Sequence, residues 1–143
     1  MKLHVYGNGW EVLKEEYNNL EILNNGEVKL LSGIELMANA KIVLSVMPWF
    51  KDCIQDRIIS TMLNGAVSVT DSSIYMSENL RDREEIVYYS LDEIEKLPQI
   101  LKEILKDKNK SYQIADNGRR IANERYTCSH FVENIIDMAN RAL

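Results

Sequence analysis

Apolar residues fall along the chain in short continuous runs that alternate with stretches of helical spacing. Leu3, Val5 and Tyr6 open a strand that stops at Gly7-Asn8-Gly9. Trp10, Leu13 and Tyr17 then recur every three to four residues, which predicts a helix near residues 10–18. Asn24-Asn25-Gly26 marks a turn and residues 28–31 a second strand, after which Ser32 is placed to cap a short helix over 34–40, with Leu36 and Met37 inward. The longest coherent pattern is 42–71. An apolar run from Ile42 to Met47 meets a loop with Pro48, Trp49, Phe50 and Asp52. Helical positions follow over 55–63, Asn64-Gly65 stops them, and a second apolar run over 66–70 ends in Asp71.

Beyond it, residues 75–80 read as a short helix, 81–85 as a charged turn and 86–89 as a further strand. Ser90 or Leu91 opens another helical segment. Pro98 suits the first turn of a helix over 98–106 with Ile100, Leu101, Ile104 and Leu105 on its apolar face. Residues 111–125 carry Ile114, Ala115, Gly118, Ile121 and Ala122 on one face. An interior Gly118 costs on the order of 1 kcal/mol against Ala, so a close helix contact is expected there. Thr127 is an N-cap for a last helix expected to bury Phe131, Ile135, Met138 and Ala139. Strands alternating with helices imply a parallel sheet covered on both faces. Its apolar runs are continuous, as strands buried on both sides require. The unit at 42–71 puts a loop and a helix start at the C-terminal edge of that sheet, where α/β proteins bind ligands.

Composition narrows the function. The 143 residues amount to one domain, 1–143. A net charge of −5 argues against general nucleic-acid binding, which needs a basic footprint. No apolar run approaches the roughly 20 residues of a membrane span, and the N-terminus lacks a signal-peptide pattern. Cys53 and Cys128 form no CxxC, so two unpaired thiols in a reducing, cytoplasmic setting are expected.

Catalytic signatures are few. His4 lies inside the first strand and His130 in the first turn of the last helix; each reads as structural or surface. No HExxH, nucleophile elbow or Walker-A loop occurs. Arg57 at a helix start places a guanidinium beside free backbone N–H groups, which suits a diphosphate. A surface ion pair with Asp52 or Asp56 is the equal alternative. Thr70, Asp71, Ser72 and Ser73 lie on the same sheet edge and suit sugar or ribose hydroxyls; a capping role for Asp71 or Ser72 is the alternative. Gly7-Asn8-Gly9 is a turn or a phosphate loop. Trp49 and Phe50 are packing residues or a stacking surface.

Four segments in order carry a resemblance: LHVYGNGWE, then KIVLSVMPWFKDCIQDRIISTMLNGAVSVTD, then EEIVYYS, then IADNGRRIANERYT. Together they resemble the C-terminal, donor-binding domain of GT-B-fold glycosyltransferases, nearest to the CgeB-like, group 1 set. The resemblance implies a Rossmann-like three-layer α/β/α domain with a five-stranded parallel sheet and C-terminal helices. It implies a nucleotide-diphosphate sugar as substrate, with no metal and no other cofactor. It implies donor-binding residues Gly7, Asn8, Gly9, Asp52, Arg57, Thr70, Asp71 and Ser72. The superfamily's acid–seven–acid helix motif falls on Asp52 and Ser60, so the first acid is kept and the second is not. An Arg in this helix is a CgeB-like feature, met by Arg57. Cys128 follows Thr127 where the pattern has Trp. The chain is expected to be the C-terminal half of a larger enzyme, inactive without an N-terminal acceptor-binding domain. Two rival readings stay open: a non-catalytic Rossmann-like protein-interaction module, and a small nucleotide- or phosphate-binding protein complete in itself.

Overall fold

The computed structural model describes residues 3–8, 22–24 and 26–142 of the chain. The chain forms two compact units, Met1–Glu35 and Leu36–Leu143. In the first, β1 (Leu3–Val5) pairs in parallel with β2 (Ile22–Asn24), Leu3 opposite Ile22 and Val5 opposite Asn24. The chain leaves β1 through Gly7, whose φ of 108° is open to glycine and costly to other residues. The Gly7 N–H donates to the Gly26 carbonyl at 2.8 Å. The helix expected at 10–18 lies outside the described residues, as does Gly9.

The second expected strand, 28–31, is not one. Residues 28 and 29 are irregular, and Leu30 opens helix α1 (Leu30–Asn39). Four apolar-rich residues are compatible with either state, and the following Leu, Glu, Met and Ala are strong helix formers. Ser32 therefore sits inside the helix and not at its cap. Leu36 and Met37 are half-buried, as expected.

In the second unit β3 (Ile42–Leu44), β4 (Val67–Asp71) and β5 (Val87–Tyr89) form a parallel sheet in that order. Ile42 faces Val67 across the first ladder and Val69 faces Val87 across the second. The described strands thus make a three-stranded and a two-stranded sheet, in place of one sheet of five. Every residue of central β4 is buried, the polar Ser68, Thr70 and Asp71 along with Val67 and Val69, so burial on both faces holds although its sequence alternates apolar and polar residues.

Helix α2 (Asp56–Leu63) connects β3 to β4, and α3 (Ile74–Asn79) follows β4. Gly65, with φ of 75°, turns the chain from α2 into β4 at the stop predicted from Asn64-Gly65. After β5 a 3₁₀ turn (Leu91–Lys96), capped by Ser90, leads into α4 (Leu97–Lys106), with Pro98 in its first turn. Helix α5 (Lys108–Arg125) starts from an Asp107 cap, and α6 (Cys128–Ala142) ends the fold.

Two clusters form the core. Met47, Ile58, Met62, Met76, Leu80, Ile86, Ile121 and Ala122 pack together, and Val67, Val69, Val87, Tyr89, Leu101, Ile104 and Ile114 form the other. Alternate strand residues serve opposite faces, Ile86 one cluster and Val87 the other. Helix α5 contributes to both, through Ile121 and Ala122 on one side and Ile114 on the other. The sheet is therefore covered on both faces, as α/β patterning demands.

The last helix departs from expectation. No residue of α6 is buried; Phe131 is 67% exposed, Ile135 46% and Met138 61%. Its apolar spacing is real, but nothing in this unit covers the stripe. Periodicity reports that a face is apolar and cannot report what it meets.

Candidate functional site

The C-terminal ends of β3 and β4 deliver two neighbouring loops. The first runs from Ser45 to Gln55 and the second from Ser72 to Ser73. Asp71 closes β4 and is 3% exposed. Its Oδ1 accepts the Met47 N–H at 2.5 Å and the Thr70 hydroxyl at 3.5 Å. Its Oδ2 is buried with no hydrogen-bond partner among the described residues. The Ser73 hydroxyl donates to the Cys53 carbonyl at 2.7 Å, and the Ile74 N–H donates to the Lys51 carbonyl at 2.7 Å. The two loops are thus fastened side by side.

Tyr89 completes the edge from β5. Its hydroxyl donates to the Ser45 carbonyl at 2.8 Å. Burial, then the charge of Asp71, push its phenol up to about 12, so it stays a neutral donor.

Asp52 and Arg57 are exposed on the first loop and on the helix that follows it. Asp56 Oδ1 accepts the Arg57 backbone N–H at 2.8 Å, and Gln55 offers no side-chain cap. No carboxylate among the described residues pairs with the Arg57 guanidinium; the ion pair with Asp52 or Asp56 does not form. Trp49 is 88% exposed and Phe50 52%, at the tip of the same loop.

Of the residues expected at the site, Asp52, Arg57, Thr70, Asp71 and Ser72 come together on one edge of the second unit. Thr70 and Asp71 are buried, and Ser72 alone of that trio is exposed. Gly7 and Asn8 belong to the first unit, where the Asn8 amide donates to Glu27 Oε1 at 2.5 Å. The cap of α3 is neither Asp71 nor Ser72 but Ser73, whose Oγ accepts the Met76 N–H at 3.1 Å. Three cap-forming residues in a row, Asp71-Ser72-Ser73, hid which of them takes the position. The contacts of Met47, Cys53 and Lys51 run through backbone atoms, which leave no trace in side-chain identity. His4 is exposed on β1. His130 is half-buried, with Nδ1 at 2.6 Å from Thr127 Oγ1, a local contact at the start of α6. Cys53 and Cys128 are free thiols. No group of three His, Cys, Asp or Glu among the described residues converges on a common point. No described helix is long and apolar enough to cross a membrane.

A family described as glycosyl transferase-like matches residues 1–137. The chain belongs to the glycosyl transferase-like family. Its fold is that of GT-B glycosyltransferases. HepE from Anabaena, solved in complex with UDP, superposes with a TM-score of 0.83 at 18% identity, over 99% of this chain and 41% of HepE. TarM from S. aureus, solved with UDP and two sugar ligands, gives 0.77 at 14% identity over 96% of this chain and 28% of TarM. The C-terminal domain of LpcC, a group 1 family glycosyl transferase from Francisella tularensis, gives 0.68 at 16% identity over 82% and 62%. This member of the family therefore spans less than two thirds of each of these proteins. The narrower CgeB-like grouping has no support of its own in these likenesses. No curated protein matches the chain.

Proposed function

We propose that this chain is the donor-binding half of a glycosyltransferase and binds a nucleotide-diphosphate sugar at the C-terminal edge of the β3–β4–β5 sheet. One observation carries the reading: Arg57, at the start of α2, presents a guanidinium with no carboxylate partner among the described residues. A planar cation with free donors at a helix start matches a diphosphate, which accepts two parallel hydrogen bonds. Asp52, exposed on the loop before α2, and Ser72, exposed after β4, supply acceptor and hydroxyl groups for sugar or ribose. Gly7 and Asn8, in the first unit, are a separate phosphate candidate. The UDP complexes of HepE and TarM support a nucleotide-sugar ligand.

In such a site the protein binds and orients the donor, and cationic side chains offset charge building on the leaving diphosphate. Group transfer requires an acceptor-binding domain as well. The 41% share of HepE that this chain spans agrees with a second domain outside it. The test is titration with UDP, GDP and their sugars, followed by backbone amide shifts. Shifts clustered at 52–57 and 70–73 are expected. Silence at millimolar concentrations of every nucleotide overturns the reading.

The exposed apolar stripe of α6 and Ser60 at the second acid position favour one rival, a non-catalytic interaction module. That reading predicts no nucleotide response and a stable protein complex in cell extract.

A further inference from the structure

Four consecutive residues, Asp71 to Ile74, hold three points of the loop between β3 and α2. Asp71 takes the Met47 N–H at 2.5 Å, Ile74 gives its N–H to Lys51 O at 2.7 Å, and Ser73 gives its hydroxyl to Cys53 O at 2.7 Å. The base of the loop is fixed while its tip, Trp49 and Phe50, stays exposed. Ser73 has a second task, since the same oxygen accepts the Met76 N–H at 3.1 Å and caps α3. Only a group that donates and accepts through one atom performs both tasks in this space. Ser73 is 3% exposed, so a ligand meets the loop and not the hydroxyl.

We propose that Ser73 is a positioning residue of the candidate donor site. Its hydroxyl ties the loop that leads into Arg57 to the end of β4, and it touches no ligand. A loop ordered before the ligand arrives removes that ordering cost from binding. The ligand-affinity half of the proposal rests on the donor reading above; the loop-ordering half does not.

The test uses the full chain with Trp10→Phe, which leaves Trp49 as the sole tryptophan. Ser73→Thr keeps donor and acceptor. Ser73→Ala removes both. Ser73→Asp keeps the cap acceptor and removes the donor. Time-resolved anisotropy of Trp49 without ligand reports the loop, and calorimetric titration with UDP reports the site. Circular dichroism checks folding; should the Ala variant unfold, the Thr–Asp comparison decides. In Ser73→Ala and Ser73→Asp, Trp49 is expected to gain mobility and UDP to bind up to about tenfold more weakly, the scale of one lost hydrogen bond, while Ser73→Thr retains both. Equal Trp49 mobility in all three, or full recovery in Ser73→Asp, overturns the proposal and leaves Ser73 a helix cap. A parent chain that ignores UDP, GDP and their sugars defeats the donor reading and the site role of Ser73 together, and the anisotropy still decides whether Ser73 orders the loop.

Discussion

The carbonyl oxygen of Glu85 lies 2.6 Å from where a Cβ on Gly118 would project. Helix α5 thus passes directly against the backbone of the turn that leads into β5. The tightest contact at Gly118 is with this turn, and the close helix contact expected there forms as well, since the Met62 side chain of α2 lies 3.6 Å from the same point. Gly118→Ala improves intrinsic helix propensity by about 1 kcal/mol, yet the added methyl meets backbone that cannot rotate away. The net effect is expected to be destabilising by about 1–3 kcal/mol, read from the midpoint of urea unfolding. A variant as stable as the parent would show that α5 slides freely on this turn.

The same turn carries a buried carboxylate. Glu85 is 4% exposed and is held by the Arg81 backbone N–H at 2.7 Å and by two guanidinium nitrogens of the same residue. Burial pushes its pKa up, but the hydrogen bonds and charge of Arg81 outweigh it, so the pKa lies below the ordinary 4.5. A depressed carboxylate pKa adds stability that is present above 4.5 and is lost as the pH falls through the lower, folded value. Arg81→Met removes the charge and the side-chain bonds and is expected to lower Tm at neutral pH. The gap between variant and parent should narrow as acid protonates Glu85. A constant gap from pH 7 to pH 3 counts against this coupling.

Arg57 is exposed and pairs with no described carboxylate, so its removal has little to cost the fold. Arg57→Ala is expected to leave Tm within a degree or two of the parent, as surface substitutions do. It should weaken UDP about tenfold, the scale of a charge-assisted hydrogen bond, with Arg57→Lys intermediate because a point charge lacks the fork. Calorimetric titration at fixed ionic strength measures both; unchanged affinity in the Ala variant would move the diphosphate elsewhere.

The stripe on α6 has a solution consequence of its own. Phe131, Ile135 and Met138 leave an apolar face in water, the kind of patch that promotes association. Replacing all three with Gln is expected to lower dye binding and concentration-dependent light scattering without lowering the unfolding midpoint. A marked fall in the midpoint would mean that the stripe is covered within the chain.

Much of this was legible in the residues, for physical reasons that also explain the failures. Asn64-Gly65 between two apolar runs located α2 and β4 because few residues adopt φ of 75° without strain. Pro98 placed the start of α4 for the same kind of reason, a backbone constraint carried by one residue. Residues 28–31, Val-Lys-Leu-Leu, misled because a four-residue apolar-rich segment has no period long enough to choose a state. Phe131 and Ile135 misled because an apolar face is visible in sequence while its partner is not. At the candidate site, Arg57 and Asp52 could be named from their chemistry. The clasp between Asp71 and Met47 could not, since one of its two ends is a backbone N–H that every residue but proline carries.

Tyr89 reaches from β5 to the carbonyl of Ser45, 44 residues earlier in the chain. The consequence is one of timing. During synthesis the end of β3 is made, and α2 and β4 follow, while the Ser45 carbonyl still waits for its donor. The Ser45 end of the loop at the candidate site therefore gains this bond last, after β5 has been delivered, while the contacts to Asp71, Ser73 and Ile74 can form earlier. A ribosome stalled before residue 89 would hold a chain with α2 and β4 already made and that edge unfinished.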